Sequence, residues 1–147
     1  MGRRDVHSPL IEPAIAEDEA AVVALWHACG LTRPWNDPHA DFALALGGAA
    51  STIFVARGEG MIEGSVMVGF DGHRGWVYYL AVSTDQRRTG LGRALMAAAE
   101  DWLRARGAPK LQLMVREDNA AALDFYQALG LERQKVAVLG RFLKEGA

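Results

Sequence analysis

The chain has little of several features that define other classes of protein. Its 147 residues include one cysteine, Cys29, which excludes an internal disulfide and favours a reducing compartment. There are 18 acidic and 16 basic residues, and the net charge of -2 gives no general attraction to nucleic acid or to an anionic membrane. No apolar run approaches the roughly 18 residues of a membrane-spanning helix. We therefore expect a cytoplasmic protein with no nucleic-acid or membrane partner.

Two common phosphate-binding motifs are also missing. No Gly-x-x-x-x-Gly-Lys-Ser/Thr sequence occurs, which argues against a P-loop. A dinucleotide fingerprint needs another glycine three residues after Gly92, where Leu95 stands. The chain is also too short for two nucleotide-binding halves. An anion site in this chain must therefore be of another type.

A basic loop that contains glycine lies between an apolar strand and a helix, which are expected over residues 76–83 and 91–106. Backbone N–H groups at a helix N-terminus lack intrahelical partners and carry the positive end of the helix dipole, so they stabilise an anion. Glycine lets a phosphate approach the backbone, and the arginine guanidinium matches phosphate oxygens. The predicted phosphate cradle consists of Arg87, Arg88, Thr89, Gly90, Leu91, Gly92 and Arg93.

Two motifs that occur in a fixed order carry a resemblance to a known family. The first is Arg87-x-x-Gly90-x-Gly92, which lies in the cradle. The second, further along the chain, is Asn119-x-x-Ala122-x-x-Phe125-Tyr126-x-x-x-Gly130-Leu131. Together they resemble the GNAT superfamily of acetyl-coenzyme A dependent N-acetyltransferases, and the resemblance covers residues 10–143, nearly the whole chain.

The order of elements and the resemblance predict an α/β fold, with one mixed, mostly antiparallel central sheet of about six or seven strands and about four flanking helices. Residues 1–9 are expected to form a flexible N-terminal arm, and residues 10–147 a single GNAT domain. The last predicted strand, over residues 136–142, offers an edge on which a homodimer could form. The other predicted strands cover residues 10–15, 51–57, 61–70, 76–83 and 110–115.

The resemblance implies acetyl-CoA as the cosubstrate and no metal. In the family, the strand that matches Leu80, Ala81 and Val82 splays from its parallel neighbour. The pantetheine arm lies in the gap, and a backbone N–H near Val82 polarises the thioester. Tyr126 matches a tyrosine that protonates the departing thiolate, and Asn119 matches an asparagine that holds the arm.

The sequence does not identify a general base. Two positions at which relatives carry a carboxylate are occupied here by Trp76 and Met114, which cannot accept a proton. Tyr78 shares a face with Leu80 and Val82 in a regular strand, where side chains alternate. We expect Tyr78 to orient a water that relays the proton of the amine. Tyr78 and Tyr126 are therefore the predicted catalytic residues.

A second route for the proton is open. The amine can arrive already neutral, with assistance from Asp71 or His73 in the turn before the strand of Tyr78. The turn sequence Asp-Gly-His-Arg-Gly, together with an earlier Arg-Pro-Trp-Asn-Asp-Pro segment, resembles a bacterial GNAT subgroup whose acceptor is unsettled. Asp71 and His73 are accordingly predicted to contact the substrate.

The acceptor site is expected beside the loop between the first two helices, as in the family. Trp35 offers a flat wall, Asn36 can fix an amide or hydroxyl, and Asp37 attracts an ammonium group. Asp37 is equally suited to capping the helix that follows it, with Pro38 in the first turn. The resemblance therefore implies a primary amine as acceptor, either a small molecule or a protein amino group.

Two other classes of function compete with the enzyme. A sensor would bind acetyl-CoA or CoA without turnover, and a partner protein would keep only the fold. The absence of the two carboxylates favours the sensor, whereas Tyr126 favours the enzyme. The sequence as a whole favours an N-acetyltransferase in which the amine attacks directly in a ternary complex.

Overall fold

A computed structural model describes residues 9–144. Within this range the chain forms two compact units, one that ends at Leu113 and one that begins at Met114. The expected arm over residues 1–9 lies outside the described residues except for Pro9. No helix of the described chain is long and apolar enough to cross a membrane.

The first unit alternates strands and helices around one sheet. A short 3-10 helix over Ala16–Asp18 precedes the first α-helix, and another over Thr84–Gln86 follows the fourth strand. The main elements in chain order are β1 (Leu10–Pro13), α1 (Glu19–Ala28), α2 (Pro38–Gly47), β2 (Ser51–Gly58), β3 (Met61–Phe70), β4 (Gly75–Val82), α3 (Leu91–Ala105) and β5 (Leu111–Leu113).

The sheet of the first unit has five strands in the order β1-β2-β3-β4-β5. The first three pairings are antiparallel, and β5 runs parallel to β4. The predicted class, a mixed and mostly antiparallel α/β sheet, is confirmed. The predicted number of strands, six or seven, is wrong, because the structure describes five.

One face of the sheet is covered by α3. Leu91, Leu95 and Leu103 are buried and recur at helical spacing, which gives α3 a continuous apolar stripe. The stripe approaches β3 closely at Gly64, where a Cβ atom would lie 2.8 Å from Cδ1 of Leu95. Val66 and Val68 of β3 are fully buried. Glycine at position 64 is therefore required for this helix to pack on the sheet.

The opposite face carries the larger core and is covered by α1 and α2. Its fully buried residues include Trp26, Phe42, Ile53 and Val55. Helix α2 begins at Pro38 because the carboxylate of Asp37 accepts hydrogen bonds from the first free N–H groups of the helix, at 3.0 and 3.2 Å. Burial of these side chains fixes both helices on one side of the sheet.

Strand β4 contains a β-bulge. Met67 pairs with Tyr78, but Ser65 pairs with Ala81, so two residues of β4 oppose one residue of β3. Tyr79 occupies the bulge with φ of 55°, in the left-handed region. The extra residue inverts the alternation, so Tyr78 and Val82 lie on opposite faces. The prediction that Tyr78 shares a face with Val82 is therefore wrong.

The second unit contains one helix, α4 (Ala120–Ala128). The side chain of Asn119 accepts a hydrogen bond of 3.1 Å from the N–H of Ala122, which caps the helix. Residues 136–142 form neither strand nor helix, so the predicted last strand is wrong. A strand needs a neighbour for its backbone hydrogen bonds, and none is described from residue 114 to 144. Dimerisation stays a prediction, and the strand edge expected for it at residues 136–142 is not formed.

Candidate functional site

The loop from β4 to α3 presents an uncapped helix N-terminus. Gly90 precedes α3 with φ of 88°, a left-handed conformation that glycine adopts without steric cost. No side chain of the described residues caps this end, and the first turn contains no acidic residue. The first N–H groups of α3 are therefore free to bind an anion.

Three exposed arginines, Arg87, Arg88 and Arg93, belong to the loop and the first turn at this N-terminus. The Nε of Arg87 donates to the carbonyl of Val82 at 3.4 Å, and its guanidinium lies 3.8 Å from the sulfur of Cys29. Arg88, with φ of 68°, and Arg93 form no ion pair within residues 9–144. Two arginines within three residues of the helix start are thus left without an ion-pair partner in the part of the chain that the structure describes.

The loop itself is held by local hydrogen bonds. The hydroxyl of Thr89 donates to the carbonyl of Gln86 at 2.6 Å, and the N–H of Ser83 donates to the carbonyl of Glu63 at 2.9 Å. Positive charge, free N–H groups and the absence of an acid in the first turn of α3 suit the phosphates of a coenzyme A ester. The residues present therefore fit the cosubstrate that the resemblance implies.

Strands β4 and β5 pair over only part of their length. The ladder joins Gly75–Val77 to Leu111–Leu113, whereas β4 continues to Val82. Within the first unit, Leu80, Ala81 and Val82 have no ladder partner on this edge. Their backbone groups on this side are accordingly available to a ligand that lies along the strand, except the carbonyl of Val82, which accepts from the Nε of Arg87 and the thiol of Cys29, each at 3.4 Å.

A cleft of about 620 Å³ opens on the face that α1 and α2 cover. Asp41 is the single lining residue with a charge at neutral pH among the described residues. Tyr78 and Tyr79, which the bulge brings to the same cleft, supply aromatic walls. The remaining lining residues are Leu31, Asn36, Leu44, Ala45, Ser51, Met67, Val68 and Gly69.

A chain of contacts holds the carboxylate of Asp41. The phenol of Tyr79 donates to Oδ2 of Asp41 at 2.7 Å. The Tyr79 ring stacks on Trp26, with centroids 3.8 Å apart and planes within 7°. The indole N–H of Trp26 donates in turn to the hydroxyl of Ser65 at 2.9 Å. Burial, and then the hydrogen bond to Asp41, raise the pKa of Tyr79, so its phenol stays protonated as the donor.

The predicted acceptor residues are only partly brought together. Asn36 lines the cleft, whereas Trp35 is 47% exposed and does not line it. The Oδ1 atom of Asp37 is engaged by the N–H groups of His39 and Ala40 at the start of α2. Asp37 is thus a helix cap, and its proposed contact with a substrate stays a prediction.

The turn between β3 and β4 is organised by Asp71. Its Oδ1 accepts hydrogen bonds of 2.8 Å from the N–H groups of Arg74 and His73, which lower the pKa of Asp71. Neither Asp71 nor His73 lines the cleft. Tyr78 does line it; burial and then the negative charge of Asp71 raise its pKa. A phenol that keeps its proton is a hydrogen-bond donor here, as a water-orienting role requires.

The second unit carries Asn119 and Tyr126. The Asn119 amide oxygen is occupied by the helix cap, and the Tyr126 ring meets Phe125 edge to face, with centroids 5.1 Å apart. Burial raises the pKa of Tyr126 to about 12. Its phenol therefore carries a proton at neutral pH, as a proton donor must.

Asp41, Tyr79 and Trp26 were not identified from the sequence. One signal was available for Asp41, which lies one turn after the cap residue Asp37 and near the predicted acceptor loop. Nothing in the sequence indicates the bulge that directs Tyr79 towards Asp41. The position of Tyr79 in the cleft therefore required the structure.

Known proteins resemble the chain in sequence and in fold. A model of the acetyltransferase (GNAT) family matches residues 18–131. An acetyltransferase of Yersinia pestis is 46% identical over 127 residues, 86% of this chain and 90% of that protein. An acetyltransferase of Pectobacterium atrosepticum is 46% identical over 129 residues, 88% of this chain and 92% of that protein.

Solved structures share the fold at lower identity. AAC(6')-Iy, in complex with a bisubstrate analogue, CoA-S-monomethyl-acetylneamine, has a TM-score of 0.78 at 18% identity, over 90% of this chain and 97% of that one. An aminoglycoside acetyltransferase from an uncultured soil metagenomic sample, in complex with sisomicin, has a TM-score of 0.76 at 21% identity, over 92% of this chain and 96% of that one. Because the family model spans most of the chain and the two relatives share nearly half of the aligned residues, the chain belongs to the acetyltransferase (GNAT) family and is an N-acetyltransferase.

Proposed function

We propose that the chain transfers an acetyl group from acetyl-CoA to a primary amine of a small molecule, by direct attack in a ternary complex. The observation that carries this proposal is the uncapped N-terminus of α3, together with Arg88 and Arg93 in its loop and first turn, which form no ion pair within residues 9–144. A helix end of this kind, with no acid in its first turn, is built to receive phosphate.

Different parts of the chain are proposed to bind the phosphates and the pantetheine arm of the cosubstrate. The N–H groups of the first turn of α3 and the two arginines would hold the phosphates. The unpaired edge of β4, over residues 80–82, would accept or donate backbone hydrogen bonds to the arm. Asn119 is proposed, from the family resemblance, to contact the arm as well.

The reaction forms a C–N bond to the acceptor and breaks a C–S bond, while the amine loses one proton and the thiolate gains one. Acetyl-CoA supplies the acetyl group in activated form, as a thioester. The backbone N–H near Val82 is proposed to donate to the carbonyl oxygen, where negative charge develops. Tyr126 is proposed to donate the proton to sulfur, and its pKa of about 12 keeps that proton available at neutral pH.

The proton of the amine needs a separate route. Tyr78 lines the cleft with a protonated phenol and is proposed to orient the water that carries this proton away. Asp71 is held by the N–H groups of the turn, and its lowered pKa makes it a weak base. Tyr78 is therefore the better supported of the two candidates.

The size of the cleft favours a small acceptor. Its volume of about 620 Å³ lies within the range of roughly 300–1,000 Å³ that is usual for small-molecule sites. A small amine can be enclosed in such a space. A protein amino group is the competing acceptor.

Calorimetric titration with acetyl-CoA, followed by thiol release over a panel of amines, tests the proposal. We expect micromolar binding that the Arg88→Ala/Arg93→Ala variant weakens by about 100-fold, because two charge-assisted contacts of about tenfold each are lost. Arg104→Ala is the matched control, since Arg104 lies exposed near the other end of α3 in surface ion pairs. Absence of binding would overturn the proposal, and binding without turnover on any amine would indicate the sensor.

A further inference from the structure

Asp41 is a partly buried acid that has no cationic partner within residues 9–144. Asp18, for comparison, forms a bidentate pair with Arg57 at 3.0 and 2.9 Å. Asp41 forms no ion pair within residues 9–144, and its side chain is hydrogen-bonded through Oδ2 alone, to Tyr79. The cleft therefore contains one uncompensated negative charge, which attracts a cation.

The carboxylate of Asp41 is held at a fixed point. The phenol of Tyr79 occupies Oδ2 and leaves Oδ1 facing no described partner. Tyr79 is itself constrained by its stack on Trp26 and by its place in the bulge of β4. A carboxylate held in this way loses little conformational freedom when it binds a ligand, which favours affinity. We assign Tyr79 as a positioning residue for Asp41.

The chemistry of acetyl transfer indicates which nitrogen Asp41 binds. An amine attacks a carbonyl only as the neutral base, whereas a carboxylate in contact with it stabilises the protonated form. The carboxylate of Asp41 also lies at the hydroxyl end of the Tyr79 side chain, away from the backbone of Tyr79. Its charge is thus suited to an ammonium group other than the nitrogen that reacts.

The walls of the cleft suit an alkyl chain that joins the reacting amine to the ammonium group bound by Asp41. Leu31, Leu44 and Met67 supply apolar surface in the same cleft as the carboxylate. We propose that the acceptor is a small aliphatic diamine or polyamine, whose non-reacting ammonium group binds Asp41 while the other amine is acetylated. This inference rests on the proposed function, because it names the substrate class of the same site.

Direct binding tests the inference independently of turnover. Putrescine and cadaverine would be titrated calorimetrically into the protein, free and saturated with CoA, beside butylamine and pentylamine. We expect each diamine to bind at least about tenfold more tightly than the monoamine of equal length, as one charge-assisted hydrogen bond provides. Equal binding of the two classes by the wild-type protein would overturn the inference.

Variants test whether the tighter binding of diamines depends on Asp41. Asp41→Asn keeps the shape of the side chain and is expected to abolish the preference for diamines. Asp101→Asn makes the same charge change on the exposed surface of α3 and is expected to retain it. Tyr79→Phe is expected to raise KM for the diamine by several-fold with kcat nearly unchanged, because it loosens Asp41 without touching the reacting atoms. A preference that survives in Asp41→Asn would also overturn the inference.

The two proposals fail in different ways. Loss of acetyl-CoA binding or of all turnover contradicts the proposed acetyl transfer, whatever the amines do. Turnover that favours monoamines, or amino groups of peptides, contradicts the diamine inference and leaves the acetyl transfer intact. Folding of each variant is checked by thermal unfolding, and the comparison of amines on the wild-type protein requires no variant.

Discussion

The phenol of Tyr79 donates a hydrogen bond of 2.7 Å to the carboxylate of Asp41, which lies 38 residues earlier in the sequence. The contact joins the bulge of β4 to helix α2 at the wall of the cleft. It depends on the left-handed φ of Tyr79, because a regular strand would alternate Tyr78 and Tyr79 to opposite faces. The bulge therefore determines which side chains face a substrate in the cleft.

Tyr79→Phe tests the structural part of this contact. The variant keeps the stack on Trp26 but loses the hydrogen bond, so the free energy of unfolding should fall by about 0.5–1.5 kcal/mol. Tyr78→Phe is the adjacent control; the Tyr78 phenol has no hydrogen bond within residues 9–144, and we expect little change. Urea unfolding measures both. Equal losses in the two variants would contradict the assignment.

Ser65→Ala should lower the free energy of unfolding considerably, although the side chain it removes is small. Ser65 is fully buried and accepts the indole N–H of Trp26, so its removal leaves that donor buried without a partner. We expect a loss of about 1–3 kcal/mol in the free energy of unfolding. A double-mutant cycle with Trp26→Phe checks the pairing: removing both groups should cost clearly less than the sum of the single losses. Strict additivity would show that the two residues do not interact.

Stability should depend on pH through Asp18. Hydrogen bonds from Arg57 lower the pKa of Asp18 in the folded protein below its value in the unfolded chain. The pair therefore stabilises the fold above about pH 4, and this contribution disappears as pH falls through the lowered folded value. Asp18→Asn should cost about 1–2 kcal/mol near pH 7.

Urea unfolding at neutral and at acid pH checks this dependence. The difference between the wild-type protein and Asp18→Asn should shrink as Asp18 becomes protonated. Asp101→Asn, which removes an exposed ion pair with Arg104, should cost less than about 1 kcal/mol at any pH. A difference for Asp18→Asn that stayed constant into acid would contradict the pairing.

Tyr126→Phe tests the proposed acid. If the phenol gives its proton to the leaving sulfur, kcat should fall by about 100-fold while acetyl-CoA binding stays unchanged. Because the pKa of Tyr126 is about 12, activity should show no basic limb from this group below that pH. Steady-state kinetics and calorimetry separate the two effects. An unchanged kcat, under conditions where chemistry is rate-limiting, would remove Tyr126 from the mechanism.

Local signals predicted most of the fold. The strand over residues 61–70 is confirmed with its exact bounds, and the N-caps Asp37 and Asn119 begin helices as their side-chain chemistry requires. The strand predicted over residues 136–142 failed because its apolar pattern alone cannot supply a ladder partner. Periodicity reports which residues favour a strand, whereas pairing depends on distant parts of the chain.

In the candidate site, too, the features that depend on local sequence could be predicted and those that depend on distant contacts could not. The cradle could be predicted, since glycine, arginine and a helix start are all local features of the sequence. The arrangement around Asp41 could not, because it depends on one extra residue in β4 and on packing of Tyr79 against Trp26. No residue type in β4 indicates a left-handed tyrosine, a conformation that is uncommon for bulky side chains.

A matched pair of glycine variants tests the phosphate cradle most directly. Gly90 and Gly107 lie at the two ends of α3 with φ of 88° and 79°, and a Cβ atom at either position would meet no atom within 4 Å. Alanine at each should therefore cost the same, about 1 kcal/mol of stability, for its left-handed backbone. Calorimetric titration with acetyl-CoA should show binding weakened at least about tenfold in Gly90→Ala and unchanged in Gly107→Ala. Equal affinity in the two variants, or no binding by the wild-type protein, would contradict the cradle.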